Sequence, residues 1–141
     1  MMHVAKCLCG QIAFEVSAIG TRIAHCHCTM CQKFHGAAFS TYVEAKLHHI
    51  NWLKGQEFLV QYTAINQTTR QFCQCCGSSI GFESKYNRID STLELALALF
   101  EQPEKLLNSS NVKPDCHIYV ESKAPWFDIN DQLKQCQRYR E

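Results

Sequence analysis

Apolar and polar residues alternate along much of this chain with a period of two, the pattern of strands that bury one face. From Gln11 to Ser17 the alternation sets Ile12, Phe14 and Val16 against polar neighbours. A turn around Gly20 leads into an extended stretch, Arg22 to Cys28. Ala38–Ala45 and Glu57–Ala64 are rich in β-branched and aromatic residues, with Gly55 punctuating between them. Thr68–Cys73 and Ser78–Ser84 read as the arms of a hairpin. Leu, Ala and Glu between Ser91 and Phe100 are good helix formers, but Leu93, Leu95, Leu97 and Leu99 alternate strictly and indicate a buried strand. Glu101–Asp115 reads as a loop with room for one helical turn, His117–Ser122 as a last strand, and Asp128–Arg140 as a terminal helix capped by Asp128 or Asn130. No repeat or linker interrupts the pattern. The expectation is a mainly β single domain, residues 1–141, with short helical segments.

Composition adds one strong feature. With 141 residues, 14 Lys and Arg against 13 Asp and Glu, the chain can bury a core and shows no basic surface suited to nucleic acid. The longest apolar run, Leu95–Phe100, is too short to span a bilayer, and the first residues lack a signal-peptide core. A soluble, cytoplasmic protein is expected. In that compartment ten cysteines, eight of them clustered, point to thiolate metal ligands, with a disulfide framework as the alternative.

The clusters are Cys7 and Cys9; Cys26, Cys28 and Cys31; and Cys73, Cys75 and Cys76, while Cys116 and Cys136 stand alone. In an extended strand Cys26 and Cys28 share one face and His25 and His27 the other. Cys31 joins the cysteine face if the chain turns back after the strand. The two histidines are then expected to be half-exposed or to donate to neighbouring carbonyls. Cys-Leu-Cys-Gly and Cys-Gln-Cys-Cys-Gly look like two halves of one site, each ending in a glycine that tolerates positive φ. Cys7, Cys9, Cys73 and Cys76 make a closed four-thiolate set, the donor set of structural zinc. The triplet Cys26, Cys28 and Cys31 then lacks an obvious fourth ligand. Three ligands and an open position suit a catalytic zinc that takes up a thiol. Cys75, Cys116, His35 and His117 remain candidates to fill that position and make the site structural instead.

Taken in order, these motifs resemble the glutathione-dependent formaldehyde-activating enzyme family, which includes centromere protein V. The resemblance runs through CLCGQIAFEV, HCHCTMCQKFHGAAFSTYV, RQFCQCCGSSIGF and HIYVESKAPWFDI. It implies a β-tent fold, structural zinc on Cys7, Cys9, Cys73 and Cys76, and a second zinc on Cys26, Cys28 and Cys31. There the family's namesake is thought to join glutathione and formaldehyde as S-hydroxymethylglutathione. Two positions depart from the family: Gln32 stands where Arg is common, and LALFEQP replaces a Gly-x-Leu-Asp segment before a proline.

The functional expectation is a zinc-dependent carbon–sulfur lyase, with Cys26, Cys28 and Cys31 catalytic and a small thiol and an aldehyde as partners. Homodimerisation is left open. The alternatives are a non-catalytic, zinc-stabilised protein-binding module and a thiol redox sensor. Lys33, His35 and Arg70 are suited to holding an acidic thiol, although such residues are ordinarily solvated. Phe34, Phe39 and Trp126 suit a pocket wall, although aromatics in a small β domain ordinarily belong to its core.

Overall fold

The computed structural model describes residues 1–140 and builds two sheets around a shared core. The strands are β1 (His3–Lys6), β2 (Ala13–Val16), β3 (Ile23–Cys26), β4 (Ser40–Lys46), β5 (Ile50–Lys54), β6 (Leu59–Thr63), β7 (Thr69–Cys73), β8 (Ser79–Glu83), β9 (Thr92–Ala96), β10 (Pro114–Ile118) and β11 (Lys134–Gln135). Three helices interrupt them: α1 (Thr29–His35), α2 (Lys85–Asp90) and α3 (Pro103–Ser110). The smaller sheet runs β1-β2-β5, and the larger runs β11-β10-β3-β4-β9-β8-β7-β6. Pairing is antiparallel except where β10 lies parallel to both β3 and β11. This is a mainly β fold with short helices, as the alternation indicates. No helix among the described residues is long and apolar enough to cross a membrane.

The alternating positions converge where expected. Ile12, Phe14 and Val16 from the small sheet meet Ile23, Val43, Ile80, Leu93 and Leu95 from the large one, all shielded from solvent. Phe14 packs tilted against Trp52 at 5.1 Å and edge-on to Phe100 at 6.0 Å. Cys7 and Cys73 lie in the same cluster, so the core and the cysteine sites are continuous.

Five segments differ from the sequence reading. The last strand expected over His117–Ser122 is instead β10, Pro114–Ile118, and the chain breaks at Tyr119, φ +56°, into a 3-10 turn over Val120–Ser122. Leucine alternation holds only as far as Ala96. Leu97–Leu99 form a 3-10 turn that brings Phe100 to a bridge with Ala5, so Leu97 and Leu99 pack on the core's edge. The segment after Glu101 is a full helix, α3, with Pro103 in its first turn, where proline's missing N–H costs nothing. The chain after Cys28 does not simply turn back but coils into α1, which carries Cys31. The C-terminal stretch is not helical. Asp131 accepts the Leu133 N–H at 3.0 Å in a local turn, and the Cys136 N–H donates to His117 O at 2.8 Å, pinning the chain to β10. With Cys136 buried against Cys116 and Ile118, that attachment outweighs helix propensity. Strand β5 and helix α2 also escape the sequence reading, since Asn51 and Asn87 interrupt their patterns. Asn87 in fact completes a capping box with Ser84.

One pairing works against the fold. Glu44 and Glu94 face each other directly across β4 and β9, an arrangement that like charges disfavour. Burial and the Glu44 carboxylate raise Glu94 to about 7, despite a hydrogen bond from Asn87 Nδ2 at 3.1 Å. The folded chain therefore keeps a proton that the unfolded chain releases near 4.5. Stability falls as pH rises through that interval. Glu94→Gln should be stabilising by about 1–3 kcal/mol at pH 8 and close to neutral at pH 4.5. Urea denaturation at the two pH values measures this, and an equal effect at both would contradict it.

Candidate functional site

Two groups of thiols are gathered by these elements, with their sulfurs mutually within 4.8 Å: Cys7, Cys9, Cys73 and Cys76, and Cys26, Cys28 and Cys31. None of the ten cysteines forms a disulfide. Zinc–sulfur bonds of 2.3 Å in a tetrahedron place sulfurs about 3.8 Å apart. Cys7 Sγ lies 3.6 Å from Cys9 Sγ, and Cys9 Sγ 3.9 Å from Cys73 Sγ, so the four-sulfur group fits such an ion.

Two backbone loops hold that group. The β1–β2 turn carries Cys7 and Cys9, and Gly10 follows at φ +79°; the β7–β8 turn carries Cys73 and Cys76, and Gly77 follows at φ +78°. Both glycines occupy the left-handed region that side chains with a Cβ resist. The turns are matched: Gly10 N–H donates to Cys7 O at 3.0 Å and Gly77 N–H to Cys73 O at 2.8 Å. Ile12 N–H points at Cys7 Sγ from 3.3 Å. Ser78 joins the halves, its hydroxyl accepting Leu8 N–H at 2.8 Å and lying 3.3 Å from Cys76 Sγ. Cys75, between the two ligand positions, is exposed and stands outside the group.

The triplet is built at the junction of β3 and α1. Cys26 ends the strand, Cys28 caps the helix with its sulfur accepting Cys31 N–H at 3.3 Å, and Cys31 is buried within the helix. Gln32 braces this junction, its Nε2 donating to His27 O at 2.7 Å and Ser122 O at 2.9 Å. Among the described residues, no fourth Cys, His, Asp or Glu joins the three sulfurs within 4.8 Å. Cys116 sits instead in a buried cluster with Cys136 and Ile118, to which Cys26 is adjacent. His35 bonds Tyr42 Oη at 2.6 Å.

Electrostatics shows why both groups suit a cation. In the triplet, hydrogen bonding from Cys26 and Cys31 brings the Cys28 thiol down to about 2, while the same crowding pushes Cys26 and Cys31 upward. In the other group burial raises Cys73 to about 12; Cys76 falls to about 6 because bonds from Ser78 outweigh its burial. One sulfur in each group ionises at its neighbours' expense. A divalent ion removes that conflict by stabilising every thiolate together.

The far face of β3 holds a feature that the sequence reading missed. His27 is wholly buried, not half-exposed, and its Nε2 lies 2.8 Å from His117 Nδ1. His117 Nε2 is 2.9 Å from Asp131 Oδ2. Asp131 accepts, so His117 donates from Nε2 and, when neutral, accepts at Nδ1 from His27 Nε2–H. His27 Nδ1 is left without a partner, and burial together with His117 lowers the His27 ring to about 4. His25, half-buried on the same side, bonds Thr41 Oγ1 at 2.7 Å. Only the remote Asp131 and His117 complete this chain, so no local spacing announces it. The alternation of cysteines and histidines across β3 does hold, which keeps His117 away from the triplet.

The remaining candidates divide. Arg70 is buried and His35 half-buried, whereas Lys33 is exposed. Phe34 and Phe39 are partly buried, while Trp126 is 73% exposed and belongs to no core. A groove of about 450 Å³ is lined by Phe34 and His35 at the end of α1, by Cys76 and Ser78 beside the four-sulfur group, and by Lys6 and Leu99.

The sequence matches the family model described as glutathione-dependent formaldehyde-activating enzyme over residues 2–122. The crystal structure of a Rhodobacter sphaeroides protein is similar in fold. It aligns with a TM-score of 0.59 at 22% identity, covering 70% of this chain and 87% of that one. No curated protein matches significantly.

The buried histidine chain carries a stability cost if cut. His117→Ala should destabilise the protein by about 2–4 kcal/mol, since it opens a cavity and leaves both His27 nitrogens unpaired. Urea denaturation monitors this; a change below about 1 kcal/mol would show that the chain contributes little.

Proposed function

Since the chain belongs to the glutathione-dependent formaldehyde-activating enzyme family, we propose that it forms or cleaves a thiol–aldehyde adduct of the S-hydroxymethylglutathione type. In this reading residues 1–141 act as one zinc-binding domain. Cys7, Cys9, Cys73 and Cys76 enclose a structural ion, and Cys26, Cys28 and Cys31 hold a second. The observation that carries the reading is the unequal donor count: four sulfurs in one group, three with no fourth protein donor among the described residues in the other.

Zinc at the triplet, when bound, supplies a Lewis-acidic fourth position that favours a thiol in its thiolate form. The chain's own groups define the surroundings. Tyr42 and Ala96 pack with Cys31, and Phe82 and Leu99 close the same cluster, limiting water. Tyr42 and His35 share a short hydrogen bond beside the sulfurs. Burial and the nearby positive charge of Arg70 lower His35 to about 4, so it is neutral at pH 7; burial first and then Cys31 raise Tyr42. This neutral pair can keep a proton at Tyr42 Oη without adding charge. The overall reaction joins thiol sulfur to aldehyde carbon and moves the sulfur's proton to the aldehyde oxygen. Lysis reverses both changes. The groove leading from Phe34 and His35 towards Lys6 offers room for the body of a peptide-like thiol.

Two variants separate the roles. Cys9→Ser should abolish cooperative folding, because a closed site of this kind contributes directly to folding free energy. Cys28→Ser should stay folded, retain one zinc and lose its response to glutathione. Circular dichroism, metal analysis and glutathione titration are the measurements. Equal damage to the fold from both variants would contradict the division. Two tightly held zinc ions with no response to any thiol would favour a scaffold.

A further inference from the structure

Arg70 lies on β7, three residues before Cys73, and is 6% exposed. Its Nε and Nη1 are enclosed without a hydrogen-bond partner, and no carboxylate among the described residues pairs with it. The guanidinium carbon lies 5.9 Å from the centre of the Phe34 ring and 5.8 Å from that of Phe82. The two rings favour a cation, but they offer no lone pairs to its N–H groups. Burying an arginine unpaired is costly, so the charge needs a reason to be there.

Its neighbours supply one. Phe82 packs in the cluster that contains Cys31 with Cys26 and Cys28 at its edge, and contacts Tyr42 at 4.8 Å between ring centres. Phe34 is also a wall of the groove. The guanidinium thus lies near one ring that packs with the triplet and one that walls the groove. Three thiolates around a divalent ion carry one net negative charge, and an incoming thiolate adds a second. Arg70 offsets one of these. Its planar N–H groups are shaped for oxygen anions and remain unfilled.

We propose that Arg70 is the specificity-determining residue of the three-cysteine face, selecting small thiols that carry a carboxylate over neutral thiols. This deepens the proposed function and rests on its open position. The carboxylate fills the vacant N–H donors of Arg70 while the sulfur occupies the triplet's fourth position. Neutral thiols satisfy only the second contact.

The test uses the full chain with cobalt(II) in place of zinc, titrated with 3-mercaptopropionate and with 2-mercaptoethanol at fixed pH. Thiolate binding is read from the sulfur-to-cobalt absorption, and dissociation constants are corrected for each thiol's own acidity. The unaltered protein should prefer 3-mercaptopropionate by about tenfold or more, as a hydrogen-bonded charge contact would give. In Arg70→Gln the preference should fall to within about twofold, and Arg70→Lys should keep part of it by retaining charge without the planar donors. An undiminished preference in Arg70→Gln overturns the inference and leaves the open position standing. So does a preference near one in the unaltered protein, which decides the matter even if Arg70→Gln fails to fold. If neither thiol alters the cobalt spectrum of the unaltered protein, the open position is absent and the inference falls with it.

Discussion

Thiolates repel, and this fold presses seven cysteines into two groups in which the sulfurs nearly touch. Without a cation Cys28 and Cys76 ionise readily, while Cys26, Cys31 and Cys73 are driven towards the neutral thiol. Much of the surrounding architecture serves that crowding. Two turns end in left-handed glycines, Ser78 ties one turn to the other, and the start of α1 folds Cys28 and Cys31 back beside Cys26. A domain built this way is suited to metal, and its hydrophobic core continues into the four-sulfur group through Cys7 and Cys73.

The two groups differ in what lies behind them. The four-sulfur group links the β1–β2 turn to the β7–β8 turn and so fastens the small sheet to the large one. The triplet lies where β3 becomes helix, with polar and aromatic side chains around it: Tyr42 bonded to His35, Phe82 against Tyr42, and the unpaired Arg70 beyond. Strand β7 serves both, ending in a ligand position of one group and carrying the cation near the other. On the reverse of β3, a polar chain runs from the exposed Asp131 through the buried His117 to His27 and fixes the same strand from behind.

The cysteine groups were legible in the sequence because cysteine pairs two or three residues apart impose local geometry that tertiary contacts do not overturn. The face-sharing of Cys26 with Cys28, and of His25 with His27, follows from strand periodicity alone. Elsewhere local signals were overruled. Leu97 and Leu99 continue an alternation that the backbone abandons, because Phe100 must reach Ala5 on the small sheet. The polar end of the chain looks helical until Cys136 is drawn against Cys116. The burial of Arg70 and of His27 was hidden for a related reason. Their burial depends on Phe34, Phe82, His117 and Asp131, which arrive from distant parts of the chain.

The central claim is that one metal ion is enclosed by four protein sulfurs and the other by three. Zinc-edge X-ray absorption on the purified protein counts sulfur neighbours directly. The account predicts an average of about 3.5 sulfurs and one lighter ligand for every two ions, rising to about 4 sulfurs once glutathione is added. An average of about 4 before any thiol is supplied, unchanged by its addition, would mean that the protein closes both sites itself.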